Sequence, residues 1–279
     1  LVILFGQAKS AAGPRYRTPN SLMLRLKMLT VASYGGGTNS TAMLIECVKR
    51  DIKVDLILFA DTGGETPDTY QYIKMFSKWM VKNGLPKMQR VQTTDRNGTY
   101  ITLEQKCRDL QQLPSLAYGF RSCSDKHKIR PQTKFMNHWP PAKEVWKAGY
   151  QVTKFVGFDA DESHRIKNYN DDKYLVKYPL VDWDMGRDEC LETIENAGLE
   201  MPGKSACFFC PSSKAHEIRK LASDYPDLIR RALEMEAAAT LTTSKGLGRS
   251  FSWQELLNKT EEFDANCNVP DSACGCYDG

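Results

Sequence analysis

The sequence has no acidic residue before Glu46, no apolar stretch near the roughly 20 residues that cross a bilayer, no internal repeat and no low-complexity tract. Its longest opening apolar run covers only residues 1–5, so a membrane-spanning chain is excluded. Of 279 residues, 41% are hydrophobic and 26% charged, which excludes wholesale disorder and collagen-like or coiled-coil chains. Long basic runs are missing too, with nothing beyond pairs such as Arg230-Arg231. The net charge of +4 is also unevenly placed. Lys9, Arg15, Arg17, Arg25 and Lys27 precede the first acid, and taking those five from the 38 basic residues leaves 33 against 34 acidic. The remainder is nearly neutral and gives no electrostatic support for nucleic acid as a partner.

Residues 1–27 allow several readings. An acid-free, Arg- and Ser-containing leader suits an organelle transit segment, whereas in a signal peptide the charges would precede the apolar run. The reading adopted is a disordered or dispensable extension, because Met28 is followed at once by strand-like Leu29-Thr30-Val31-Ala32. With no secretion signal, the expected compartment is the cytoplasm. Nine cysteines is an odd count, so they cannot all pair internally, and in such a chain clustered cysteines indicate metal or redox chemistry before a disulfide framework. Cys207-Phe208-Phe209-Cys210 is a C-x-x-C unit, and Cys267, Cys274 and Cys276 crowd the C-terminus. Cys47 sits among apolar helix positions and reads as a small core residue.

Strand and helix signals alternate. Residues 29–33 read as a strand, 38–48 as a helix with Ala42, Ile45 and Val48 at helical spacing, and 54–60 as a buried strand. Thr66-Pro67-Asp68 reads as an N-cap with Pro in the first turn of a helix running to Lys82, where Asn83-Gly84 stops it. Residues 89–93 and 152–158 are further strands. This pattern predicts an α/β sheet with helices on both faces over residues 28–185. From Gly186 the signals turn helical, at 188–197, 213–222 and 226–239, so 186–279 is read as a mostly helical C-terminal region.

The segment Ser33-Tyr34-Gly35-Gly36-Gly37-Thr38-Asn39-Ser40 places three glycines and several hydroxyl or amide side chains between a strand and a helix N-terminus. Glycines let the backbone wrap an anion, successive amides form a concave donor array, and the helix dipole adds to it. The Walker pattern G-x-x-x-x-G-K-S/T and the dinucleotide pattern G-x-G-x-x-G are both absent. The alternative is a flexible Gly-rich turn.

This segment resembles that of the PP-loop (adenine nucleotide α-hydrolase-like) superfamily, and within it the phosphoadenosine phosphosulfate (PAPS) reductase-like family, whose loop reads S-F-S-G-G-K-D-S. Ser33, Gly36, Gly37 and Ser40 match, while Gly35, Thr38 and Asn39 depart from Ser, Lys and Asp. Losing the lysine removes a cation that could meet phosphate. Asp61-Thr62-Gly63 with Thr66-Pro67-Asp68-Thr69 resembles the family's second strand and its helix entry, where the acid approaches the adenosine. Gly157 to Arg165 is similar to its G-x-R-x-x-E-S-x-R segment, with Asp159 in place of the first arginine, and Tyr178-Pro179-Leu180-Val181-Asp182-Trp183 to its P-L-x-x-W strand. The resemblance implies a Rossmann-like parallel sheet. It also implies an adenine nucleotide (ATP, PAPS or adenylyl-sulfate, with or without Mg) held by Ser33, Tyr34, Gly35, Gly36, Gly37, Thr38, Asn39, Ser40, Asp61, Thr62, Gly157, Asp161 and Glu162.

Cluster-bearing relatives hold a 4Fe-4S cluster by a Cys-Cys pair and a later C-x-x-C. Here Ser122-Cys123 lies 84 residues before Cys207, and Ser122 replaces one cysteine of the pair. The pattern from Cys123 to Pro131 is similar to that of cluster-bearing sulfur-transfer and phage-encoded members. The resemblance implies Cys123, Cys207 and Cys210 as ligands, with Cys276 or Cys274 as a fourth, or three ligands and an open iron. Zinc is the alternative for the same thiolates, with a tail cysteine or His216 completing four. The Cys274-Gly275 tail resembles the mobile reductase tail whose cysteine attacks sulfur, which makes Cys274 a catalytic candidate beside the cations Lys128 and Arg165.

Three functions follow as expectations. The first is a PAPS reductase-like enzyme reducing a sulfonucleotide with a thioredoxin-like thiol donor. The second is an ATP-dependent sulfur-transfer enzyme of nucleic-acid thiolation or DNA phosphorothioation type, supplied by a cysteine desulfurase. The third is a non-catalytic nucleotide-binding protein with a structural metal.

Overall fold

The computed structural model describes residues 29–114, 121–166, 170–242 and 244–259. The leader and Cys267, Cys274 and Cys276 lie outside the described residues. Five strands form one wholly parallel sheet: β1 (Thr30–Ser33), β2 (Leu56–Asp61), β3 (Gln89–Gln92), β4 (Val152–Phe155) and β5 (Tyr174–Lys177), in the order β3-β2-β1-β4-β5. Register pairs Val31 with Leu56 and Lys154 on either side of β1, and Asp61 with Gln92 at the ends of β2 and β3.

Side chains of a strand alternate between faces, and the two faces here bury different helices. Ala32, Ile57 and Phe59 meet α1 (Thr38–Lys49), α2 (Pro67–Lys82) and α6 (Arg187–Asn196) through Met43, Ile45, Phe76, Met80 and Ile194. Val31, Leu56 and Leu58 meet α4 (Arg130–His138) and α5 (Pro140–Lys147) through Met136, Ala142 and Val145. Cys47 is a fully buried member of the first core, as the sequence predicts. A third core gathers α3 (Leu103–Asp109), α7 (Ala215–Asp224), α8 (Pro226–Ala238) and α9 (Trp253–Asn258) around Phe209 and Trp253. Buried Glu236 braces it, accepting backbone N–H bonds from Leu247, Trp253 and Gln254 at 2.6, 2.9 and 3.1 Å.

The α/β prediction stands, and α2 starts after the Thr66 cap as read. Two elements differ. Residues 179–182, expected as part of a strand, form a helical turn, and the strand is the preceding Tyr174–Lys177. Pro179 has no N–H for a ladder and its fixed φ suits a first helical turn. The strand expected over 152–158 stops at Phe155, where the chain leaves the sheet to pass the loop after β1. The first helix of the C-terminal region, α6, shares the core of the sheet through Cys190 and Ile194. No helix of the described residues is long and apolar enough to cross a membrane.

Candidate active site at the carboxyl ends of the strands

In an open parallel sheet, ligands sit outside the carboxyl ends of the strands where the strand order reverses. Here the order reverses between β1 and β4, and the Gly-rich loop leaves β1 at that point. Gly36 has φ of 86°, and a Cβ there would come 3.0 Å from Ile73 Cδ1, so glycine is required both for the turn and for the contact. Gly37 precedes the first turn of α1, which carries no acidic residue. Ser40 Oγ accepts from the Gly35 amide at 3.2 Å, and Ser205 Oγ donates to the Gly35 carbonyl. The amides opening α1 and its dipole form an anion cradle.

The loop after β4 closes on this cradle. A Cβ on Gly157 would lie 2.9 Å from Ser40 Cα and 3.0 Å from Ser40 N, so only glycine allows the two loops to touch. Asn39 Nδ2 donates to Asp159 Oδ2 at 2.8 Å and Glu162 Oε2 at 3.1 Å, while Arg187 Nη1 donates to Asn39 Oδ1 at 3.3 Å. Burial pushes the Asp159 carboxyl up, opposed by its bonds from the Glu162 amide and Asn39. Arg165 pairs with Glu162 and lies 4.3 Å over the Phe158 ring. The residues after β4 thus orient Asn39 at the loop.

Several expected nucleotide ligands also have partners within the fold. Tyr34 is wholly buried against Phe76, with ring centroids 5.4 Å apart, and belongs to the core. Its phenol is pushed up by burial. Asp61 is fully buried, accepting from the Gly63 amide at 2.8 Å, Tyr70 Oη at 2.7 Å, Gln92 Nε2 at 3.0 Å and the Arg90 guanidinium. That carboxylate knits β2 to β3. Asp161 Oδ2 accepts the Arg187 amide at 2.8 Å and so caps α6. Ser33 Oγ donates to Gln132 Oε1 at 2.9 Å.

The cysteines far apart in sequence converge. Cys123, Cys207 and Cys210 line one small cavity, with Thr62, Ser124 and Lys128 on its wall. Cys207 and Cys210 sit on a turn closed by Cys210 N–H to Cys207 O at 2.9 Å, which docks on the loop after β2 through Phe208 N–H to Gly64 O at 2.7 Å. A Cβ on Gly64 would lie 3.0 Å from Cys207 Sγ, and Thr62 Oγ1 is 3.1 Å from the same sulfur. The Ser124 hydroxyl is buried with no hydrogen-bond partner. Among the described residues, no three His, Cys, Asp or Glu side chains stand close enough to hold a metal as they are. The ligand type these three sulfurs offer is soft, as thiolate-held metals and iron-sulfur groups take, and unlike the oxygens that a hard cation takes. His216, on α7, is not among the residues lining this cavity.

Of the two cations expected as catalytic candidates, Lys128 lines the thiol cavity and Arg165 pairs with Glu162, which accepts from Asn39. Arg187, Ser205 and Gln132 were not legible in the sequence. Each meets the loop from across the fold, and no local spacing announces such a contact.

No protein-family model matches the chain, and no curated protein matches it. Among solved structures it is similar to phosphoadenylyl-sulfate (PAPS) reductase from Candida auris in a phosphate complex, at 13% identity and TM-score 0.38 over 63% of this chain and 75% of that one. It is also similar to the U34-tRNA thiolase NcsA from Methanococcus maripaludis with its 4Fe-4S cluster, at 12% identity and TM-score 0.42 over 90% of this chain and 80% of that one. The likeness is one of overall architecture.

Proposed function

We propose that this chain is an adenine-nucleotide-dependent enzyme of sulfur chemistry, with a PAPS reductase-like activity as the first reading. The observation that carries it is the convergence of Cys123, Cys207 and Cys210 with Lys128 on one cavity that shares the Thr62 loop after β2. Next to that strand, the loop after β1 offers an anion cradle. In this reading the amides of residues 36–40 bind a nucleotide phosphate, Arg187 supplies the charge that Thr38 lacks, and Lys128 stabilises negative charge on departing oxygens. Two thiols reduce the sulfonucleotide, releasing sulfite and the nucleotide phosphate as the thiols join in a disulfide; the thiols come from a thioredoxin-like donor, from Cys274, or from both.

Cys123, Cys207 and Cys210 would hold an iron-sulfur cluster, which when bound supplies redox-active iron and, with three ligands, an open position for sulfur. That three-thiol set favours a second reading, in which ATP activates an acceptor, pyrophosphate leaves, and sulfur is then transferred. Zinc on the same thiolates would make the site structural. Sulfite release from PAPS or adenylyl-sulfate with a dithiol, measured beside pyrophosphate release from ATP, separates these readings. We expect sulfite; pyrophosphate instead would select the second reading, and inertness in both with retained AMP binding would refute an enzyme.

A further inference from the structure

Three cavities open along the single segment 122–130. Cys123, Ser124 and Lys128 face the thiol cavity; Cys123, Lys126 and His127 face a second; Lys126 and Arg130 face a third. Neighbouring cavities share walls, at Leu103, Pro114 and Cys123 between the first two and at Lys106 and Lys126 between the last two. The segment includes a π-helical stretch, Asp125–Ile129, which shifts the facing of successive side chains.

The third cavity is an open pocket beyond the carboxyl end of β3. Lys106, Lys126, Arg130 and Lys134 line it with Thr93 and Thr94, and no carboxylate is among its lining residues. Lys134 Nζ donates to Thr94 Oγ1 at 3.0 Å, Thr93 Oγ1 donates to the Lys126 carbonyl at 3.1 Å, and Arg130 pairs with Asp125 at 2.6 Å behind the rim. Asp125 offsets the Arg130 charge, but Lys106, Lys126 and Lys134 around the same concavity repel one another, and an anion seated among them offsets that repulsion. A second observation points the same way. His127 is 1% exposed, neither ring nitrogen has a hydrogen-bond partner, and it lines the connecting cavity beside Lys106 and Lys126. Buried polar groups are normally satisfied, so an imidazole left with two orphaned nitrogens suits a ligand reaching inward.

We propose that the pocket of Lys106, Lys126, Arg130 and Lys134 is a phosphate-ester subsite, separate from the loop at residues 33–40, that anchors the molecule whose reacting end enters the thiol cavity. The link to the thiols rests on the sulfur-chemistry reading; the phosphate contact is measured without it. The shared chemistry is a phosphate ester, borne by a nucleotide's ribose phosphate or by a nucleic-acid backbone. Net charge hides this site because Glu104, Asp109 and Asp125 neighbour its cations in sequence.

The test compares the full chain with a K126Q/K134Q double variant, both residues being exposed, and with K78Q/K82Q on α2 as a charge-matched control. The probes are short single-stranded RNA, adenosine 3′,5′-bisphosphate, and AMP. We expect K126Q/K134Q to weaken at least one phosphate probe by about tenfold or more while AMP binding and the control hold. For RNA, losing two contacts should lower the salt slope by about 1.4. Weakened RNA binding identifies a nucleic-acid backbone; weakened bisphosphate binding without RNA binding identifies a nucleotide's own phosphate; both uphold the subsite. Unchanged affinities for both probes would overturn it. A protein inert toward PAPS and ATP whose RNA affinity still falls in K126Q/K134Q would refute the sulfur reading and leave the subsite standing.

Discussion

Asn39 and Gly157 are the single residues on which the proposed nucleotide site turns. Where the resembling loop has lysine and aspartate, this chain has Thr38 and Asn39, and the amide of Asn39 is oriented by Asp159, Glu162 and Arg187. Arg187 of α6 is thus a cation in contact with this loop. Gly157 holds the two loops in contact, and its substitution meets backbone atoms that cannot swing away. Gly157→Ala should therefore weaken AMP binding about tenfold or more with the fold retained, whereas Gly203→Ala, with open space around it, should not. Titration of both variants checks this, and equal affinities would contradict it. The glycines and hydroxyls of the loop were legible because their spacing is local. Arg187 and Ser205 were not, because they reach the loop from 148 and 170 residues away. Tyr34 and Asp61 matched a motif by position, yet their side chains serve the core and the β2–β3 seam.

The segment 122–130 is the element on which the account depends, since it places a thiol, an imidazole and two lysines on successive cavities. Burial, with Lys106 and Lys126 nearby, lowers His127 to about 4. Its value in an unfolded chain is near 6.5, so between these limits the unfolded state binds the proton and the folded state does not. Stability is therefore full above that upper value and falls as pH drops toward the lower one. Denaturant unfolding at pH 7.5 and 4.5 should show the wild-type chain losing roughly 2–3 kcal/mol more than His127→Gln between the two. Equal losses would show that the imidazole is not held neutral. Cys123 could be singled out from the sequence, but the π-helical register that divides its neighbours between cavities has no spacing signal there.

At the scale of the whole molecule, the order β3-β2-β1-β4-β5 brings the loops after β1 and β4 together and sets the loop after β2 beside the C-x-x-C turn. Strand-helix alternation made the sheet legible, because buried parallel strands are apolar on both faces. The third core, which brings Phe208 and Phe209 against α3, was not, since it joins segments about 100 residues apart through packing alone. In the proposed function Cys123 and Cys207, packed against that core, and Cys210 would hold an iron-sulfur cluster beside the nucleotide. The metal and acid-labile sulfide content of anaerobically isolated full-length protein tests it most directly. We expect a brown protein containing iron and sulfide with broad absorption near 400 nm that is lost in Cys207→Ser; a colourless protein with stoichiometric zinc would rule the cluster out.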